Sequence, residues 1–346
     1  MKPINFLLLS MTCLFIACQQ NDAPAPNAPC EWGVDLVPIT QDTCFEPLTD
    51  PFSGYIIPPI QGYDIDQIAL SNTQDDVLFF VDIDDEKMAD LYQLNLCTAE
   101  LQLLTTLEYY SNDHLRLNSK DQIIYIKSMS LADQELIFYD INEASITILS
   151  SNKSYVNKIG WVTDSSFIVE EAINLIANPS IERVIYNTQD IALDTIFLGS
   201  GPFSNPFNDK IAMNGFISGN GGFQLFIYDI PNQTISEPFD IMHEAFFKEG
   251  YSSNWLNDEQ LLVCRTPEVL GRFYINNQDI DIFFDRSAPE CRNVRYRRAG
   301  IPLGDGKHFL QIREEFFFNE EGEYRLRNDI IRYNMETGLE ELIVLE

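Results

Sequence analysis

Apolar residues in this chain come in short runs, and each run follows a polar turn that contains Asp. The runs are Val77-Leu78-Phe79-Phe80, Ile123-Ile124-Tyr125-Ile126, Phe167-Ile168-Val169, Ile211-Ala212-Met213, Leu261-Leu262-Val263 and His308-Phe309-Leu310. The turn aspartates before them are Asp75, Asp121, Asp164, Asp209, Asp258 and Asp305, spaced 46, 43, 45, 49 and 47 residues apart. A period of about 40–50 residues is the mark of a repeat architecture in which one supersecondary unit is copied around or along an axis.

A second phrase keeps the same period: an aromatic-rich strand, a turn, then another short strand. It reads Leu91-Tyr92-Gln93-Leu94-Asn95, Ile137-Phe138-Tyr139-Asp140, Val184-Ile185-Tyr186-Asn187, Phe226-Ile227-Tyr228-Asp229, Phe273-Tyr274-Ile275-Asn276 and Ile331-Arg332-Tyr333-Asn334. Turn formers such as Pro231-Asn232 or Glu336-Thr337-Gly338 follow, then a strand such as Ile146-Thr147-Ile148-Leu149 or Leu342-Ile343-Val344-Leu345. Each period therefore holds four short strands, and no long amphipathic helix interrupts them. The pattern predicts an all-β fold, a six-bladed β-propeller of four-stranded antiparallel blades over residues 63–346. Ring closure is open at this level. Either the last blade closes alone, or Asp35 to Thr40 or Tyr55 to Ile60 adds a strand or covers an edge. The prolines of the 30–62 segment argue against a seventh blade.

The phrases resemble the WD40-like repeat of TolB-type periplasmic propellers. In that family a Ser-Pro-Asp-Gly turn precedes an "Ile-x-Phe" strand and a Tyr-x-Asp-x-x-Thr-Gly turn joins the last two strands. Asn118-Ser119-Lys120-Asp121 and Gly304-Asp305-Gly306 keep the first turn, and Tyr333-Asn334-Met335-Glu336-Thr337-Gly338 keeps the second. The resemblance implies architecture; a propeller is a scaffold that hosts many activities.

The first residues set an expected compartment. Lys2 precedes apolar runs over Phe6 to Leu9 and Met11 to Ala17, too short for a permanent span, so residues 1–17 read as a signal peptide. Phe15-Ile16-Ala17-Cys18 resembles a lipobox, which makes Cys18 the expected acylated first residue of a lipoprotein anchored at the cell envelope, at its outer membrane. The alternative is an ordinary secretory signal with a chance cysteine. Residues 18–29, rich in Ala, Pro and Asn, read as a tether. The formal charge of −31 argues against nucleic acid and against anionic membrane surfaces as partners, so the membrane is met through the anchor only. In an oxidising compartment a Cys30–Cys44 bridge would close a short loop, Cys264 and Cys291 form a second possible pair, and Cys97 reads as a lone buried thiol.

Candidate chemistry is concentrated where the chain enters each blade, since that loop rings the axis of a propeller. An aromatic followed by Asn recurs there as Tyr110/Asn112, Tyr155/Asn157, Phe203/Asn205 and Tyr251/Asn254, with asparagines 45, 48 and 49 residues apart. Amides with aromatic platforms suit a sugar or a peptide terminus; Asn also simply fixes turns. Arg295 and Arg297 share one strand face and can meet a carboxylate ligand or an acidic neighbour. Asp113 and His114 form one titratable pair, equally readable as a structural hydrogen bond. The acidic run Asp82 to Asp90 invites calcium, yet Lys87 and Gln93 stand where an EF-hand needs Gly and Glu. No other cofactor is called for, and no catalytic residue is assigned. The expected role is a binding or scaffold propeller whose partner is an envelope protein or small ligand; the alternative is a hydrolase of carbohydrate-active type using Asp64, Asp113 or Glu249.

Overall fold

The structure is a computed structural model that describes residues 30–39, 65–83, 88–108, 110–111, 117–130, 133–153, 156–173, 180–196, 204, 207–215, 224–239, 253–266, 269–285, 294–318 and 324–345. Among these residues every regular element is a β-strand, and the strands form six antiparallel sheets, the blades of a six-bladed β-propeller. After a short first strand, β1 (Leu36–Pro38), blade one comprises β2 (Ile65–Leu70), β3 (Asp76–Ile83), β4 (Met88–Asn95) and β5 (Leu101–Glu108). Blade two comprises β6 (Tyr110–Ser111), β7 (Gln122–Ser130), β8 (Asp133–Asp140) and β9 (Ser145–Lys153). Blade three comprises β10 (Val156–Thr163), β11 (Ser166–Ile173), β12 (Ser180–Asn187) and β13 (Ala192–Ile196). Blade four shows β14 (Lys210–Gly215), β15 (Gln224–Asp229) and β16 (Thr234–Ile235), extended by Phe207 bridging Lys210 and Phe239 bridging Leu225. Blade five comprises β17 (Ser253–Asn257), β18 (Gln260–Thr266), β19 (Val269–Tyr274) and β20 (Asp279–Asp285). Blade six comprises β21 (Val294–Pro302), β22 (His308–Phe318), β23 (Tyr324–Asn334) and β24 (Glu340–Ile343).

The apolar runs are the second strands of the blades, and they read as continuous because both of their faces are buried. Val77 and Phe79 of β3 pack toward blade six, with Leu310 and Ile312, whereas Leu78 and Phe80 pack toward Ile123 and Tyr125 of blade two. Ile124 and Ile126 then meet Phe167 and Val169, and Ile168 meets Ile211 and Met213. Ala212 meets Leu261 and Val263, and Leu262 meets Phe309. Each hydrophobic cluster thus sits between two blades rather than within one. The aromatic phrase is the third strand, and it interlocks with the second: Phe79 stacks on Tyr92 at 5.4 Å, Phe167 on Tyr186 at 5.8 Å and Phe309 on Tyr333 at 4.8 Å. Such pairs add about 0.5–1.5 kcal/mol beyond the area they bury.

The turns joining the first to the second strand, and the third to the fourth, share one end of every blade, here called the base. Each described turn between third and fourth strands contains one residue with positive φ: Ala99, Ala144, Asp190, Gln233, Gln278 and Gly338. In five of the six blades the asparagine or aspartate that ends the third strand caps that turn. Asn95 Oδ1 accepts from Thr98 N, Asp140 from Glu143 N, Asn187 from Gln189 N, Asp229 from Asn232 N and Asn334 from Thr337 N. Three of the recurring turn aspartates, Asp121, Asp164 and Asp258, have a different task, since they tie one blade to the next. Asp121 Oδ1 accepts from the backbone N and the Nδ2 of Asn72, at 3.1 and 2.8 Å. Asp164 accepts from Ser119 N at 2.9 Å and from Ser119 Oγ at 2.5 Å, and Asp258 accepts from Asn208 Nδ2 at 2.8 Å. Between the last blade and the first, Gly304 N donates to Gln74 Oε1 at 2.7 Å. Neighbouring Gly306 takes a φ of +69° that a side chain would strain.

A strap completes the closure. β1 pairs antiparallel with β24 and becomes a fifth strand on the outer edge of blade six, with Leu36 opposite Ile343 and Pro38 opposite Glu341. Just before β1, Gly33 N and Val34 N both donate to Leu96 O of blade one. The approach is so close that a Cβ on Gly33 would stand 2.2 Å from the carbonyl oxygen of Cys97. Cys30 is disulfide-bonded to Cys97, with a Cα–Cα distance of 5.8 Å. The expected Cys30–Cys44 bridge is therefore wrong, and Cys97 is not a lone thiol. A contact between residues 67 apart is made by ring closure, which spacing does not reveal. Val34, Trp32 and Leu36 pack into the cluster that joins blades six and one, and the Arg332 guanidinium lies 5.1 Å from the Trp32 ring.

Closing a loop of this length stabilises the fold by about 4 kcal/mol on the chain-entropy model. The double substitution Cys30→Ser, Cys97→Ser is expected to lower the unfolding free energy by up to about that amount in urea titrations; an unchanged midpoint would refute a closing role. Asp164→Ala removes an acceptor shared by two donors and is expected to cost about 1–3 kcal/mol by the same titration, with Asp164→Asn intermediate.

Candidate functional site

In a propeller the first strand of each blade lies nearest the axis, and that strand is described in blades one, two, three, five and six. Those strands are β2, β6, β10, β17 and β21, and their side-chain chemistry decides what the axis offers. Of the residues singled out from sequence, Asn254 is fully described. It lies half-buried on β17, and its Nδ2 donates to Gly300 O of β21 at 2.9 Å, so this amide links two neighbouring inner strands. Tyr110 is placed on β6 opposite Lys127, Asn157 on β10, and Arg295 and Arg297 on β21 opposite Glu314 and Ile312, each by its backbone. Asn112, Asp113, His114, Tyr155, Phe203, Asn205 and Tyr251 lie outside the described residues, as do Asp64 and Glu249, Cys18, Cys44 and Cys291.

Several polar side chains absent from the expected set hold the inner strands in place. Gln134 of β8 brackets the backbone of Val156 on β10, with Oε1 accepting from Val156 N and Nε2 donating to Val156 O at 3.2 Å. Trp161 and Trp255 occupy the same place in their repeats, and both reach back one blade. Trp161 Nε1 donates to Gln122 O at 2.8 Å, and Trp255 Nε1 to Ser204 Oγ at 3.0 Å. The position of each Trp three residues before a turn aspartate was a signal for this role.

Charged groups are buried between and within blades. Arg183 and Glu170, partners on β12 and β11, are both fully buried and 3.4 Å apart, and Arg183 Nη2 donates to Asn214 O of blade four at 2.5 Å. In blade six Arg313 pairs with Glu315 at 2.6 Å and with Glu340 at 3.1 Å, and Tyr296 Oη donates to the same Glu340. Two further phenols meet carboxylates: Tyr186 Oη donates to Glu171 at 2.6 Å, and Tyr228 Oη crosses from blade four to Asp194 of blade three at 2.5 Å. Burial first, and these carboxylates second, push both phenols well above their ordinary value of 10.0. Tyr125 is pushed up to about 12, by burial and then by Glu135 and Glu108.

One histidine is described in full. His308 Nδ1 lies 2.6 Å from Asp305 Oδ2, and Asn334 Nδ2 lies 2.9 Å from His308 Nε2. Asn334 Oδ1 is committed to Glu336 N and Thr337 N, so its Nδ2 is the donor to Nε2 and the ring proton sits on Nδ1. Burial pushes the Asp305 carboxyl up, but the hydrogen bonds from Lys307 and His308 outweigh it and leave the group below its ordinary value. Both imidazole nitrogens are occupied at a base turn, which is a structural arrangement. The Cys30 and Cys97 sulfurs and the Asp75 carboxylate lie within 4.8 Å of one another, and the disulfide engages both sulfurs.

No family model matches the chain, and no curated protein matches it. Among solved structures it is similar to the β-propeller domain of the Trilobed protease from Pyrococcus furiosus, a propeller of open velcro topology. That match has a TM-score of 0.51 and 10% identity, covering 81% of both chains. It is also similar to TolB from Acinetobacter baumannii, with a TM-score of 0.46 and 15% identity over 62% of this chain and 53% of that one. An oligogalacturonate lyase in complex with manganese matches with a TM-score of 0.47 and 11% identity, over 82% and 78% of the two chains. The chain thus spans about half the length of that TolB structure. At such identities the likeness to the Pyrococcus propeller shows the fold alone.

Raised phenol values carry a sign for stability. The folded state keeps these phenols protonated after the unfolded chain has begun to ionise, so stability is full below pH 10 and falls as pH rises beyond it. Tyr228→Phe is expected to cost about 1 kcal/mol at neutral pH by loss of its hydrogen bond. It should also flatten the alkaline fall in stability, read from urea midpoints across that range; a parallel fall in both proteins would refute the role of Tyr228.

Proposed function

We propose that this chain is a lipid-anchored protein of the bacterial cell envelope, at its outer membrane, that acts as a binding or scaffold propeller. The observation that carries the reading is how the repeat is used. At the base, the carboxylates of Asp121, Asp164, Asp258 and Asp305, the asparagine caps and His308 are engaged in hydrogen bonds that build turns or join blades. Recurrence there has a structural cause. The second recurring set, aromatic plus Asn, falls in the sequence where the chain enters the first strand of a blade, and first strands run toward the base from the opposite end; Asn254 lies further along its strand, opposite Leu262, and links two inner strands. The opposite end, which we call the head, is the surface on which a ligand or protein partner is recognised.

The anchor reading rests on Phe15-Ile16-Ala17-Cys18 behind an apolar segment, and on the net charge of −31, which disfavours direct adhesion to anionic lipid. A lipid-modified N-terminal cysteine supplies the membrane attachment that such a surface does not. The expectation is that alkyne-palmitate fed to expressing cells labels the protein and that Cys18→Ala abolishes both the label and sedimentation with membranes. A Cys18→Ala protein that still sediments and labels would overturn the anchor. Repeated affinity capture from envelope extracts, with the head loops intact, is expected to retain a specific partner; capture of none would count against a scaffold role.

A further inference from the structure

The strap fixes more than ring closure, because it also fixes where the chain enters the propeller. Cys30 is bonded to Cys97, in the turn that follows β4, and that turn is tied to the turn before β3 by Leu96 N donating to Asp75 O at 2.7 Å. The Asp75 carboxylate lies within 4.8 Å of both sulfurs. Both turns belong to the base. Gly33 and Val34 hold the next residues against Leu96 O, so entry is pinned at the base by a covalent bond and two hydrogen bonds.

We propose that the base is the membrane-proximal face of the molecule, and that the head points away from the lipid and meets its partner from the aqueous side. The proposal rests on the reading of Cys18 as the lipid anchor. Position 30 stands twelve residues beyond position 18, and a coil of that length averages about 17–21 Å end to end. The strands that separate base from head are longer than this: β8, with eight residues, spans about 26 Å. A tether whose average reach is shorter than the blade, fastened at the base, keeps the base on average nearer to its anchor than the head.

Charge sets how the base meets the surface. The base turns carry Asp75, Asp121, Asp164, Asp209, Asp258 and Asp305, with Glu143 and Glu336 exposed beside them. Carboxylates within the roughly 8 Å screening distance of anionic headgroups are repelled. The base therefore faces the bilayer at a distance set by the tether and does not lie flat on it.

The test uses the full-length, lipidated protein in liposomes containing an acceptor-labelled lipid. A fluorescent amino acid is introduced as the donor at Glu143, in the base turn of blade two, or at Asp133, at the head end of the same blade opposite Ser130. Energy transfer to the lipid is expected to be several times greater from position 143 than from position 133. Equal transfer, or greater transfer from 133, overturns the orientation. The acyl mass at Cys18 and flotation of the same samples are measured alongside. An acylated, floating protein with equal transfer refutes the orientation alone, whereas a chain that is neither acylated nor floating refutes the anchor and the orientation together.

Discussion

Every blade of this propeller depends on its neighbours to cover its second strand. A sheet with apolar side chains on both faces cannot be stable alone in water, so the ring is the smallest unit that buries them all. Tyr125 and Ile126 are adjacent in sequence and lie in different hydrophobic clusters, one shared with blade one and the other with blade three. Stability is therefore a property of the closed circle, and the joint between its last and first members decides whether the circle exists.

That joint differs from the others. Between blades one and two, two and three, and four and five, an Asn or Ser of one turn reaches an aspartate of the next. At the seam a backbone amide reaches a glutamine, and a strap reinforces it with a strand, a disulfide and three apolar side chains. The fifth strand also shortens the exposed edge of blade six, where β24 would otherwise present unpaired backbone groups. The same strap brings the N-terminal segment to the base, which couples closure of the ring to the direction from which the chain arrives.

The buried charges follow the same logic. Arg183 with Glu170 and Asn214, and Tyr228 with Asp194, lie where blade three meets blade four. Ion pairs of this kind contribute little net stability once desolvation is counted, but they penalise any other register between the sheets. Packing of aliphatic side chains is tolerant of small slips; a guanidinium that must meet a carboxylate and a carbonyl is not.

The number of blades, their four-strand plan and the second and third strands were legible in the chain, because burial on two faces demands unbroken apolar runs and the turn chemistry repeats with them. Local geometry shaped those signals, since Asn95, Asp140 and Asn334 cap turns within a few residues of themselves. The partner of Cys30, the edge on which β1 lies and the burial of Arg183 were not legible. Each joins residues brought together when the chain returns to its starting point or when one sheet stacks on another, and the spacing along the chain carries no trace of which distant groups will meet. The recurring Asn of the candidate site shows the same division: its period is written in the sequence, whereas the use of Asn254 as a link between inner strands follows from the position of Gly300 in the next blade.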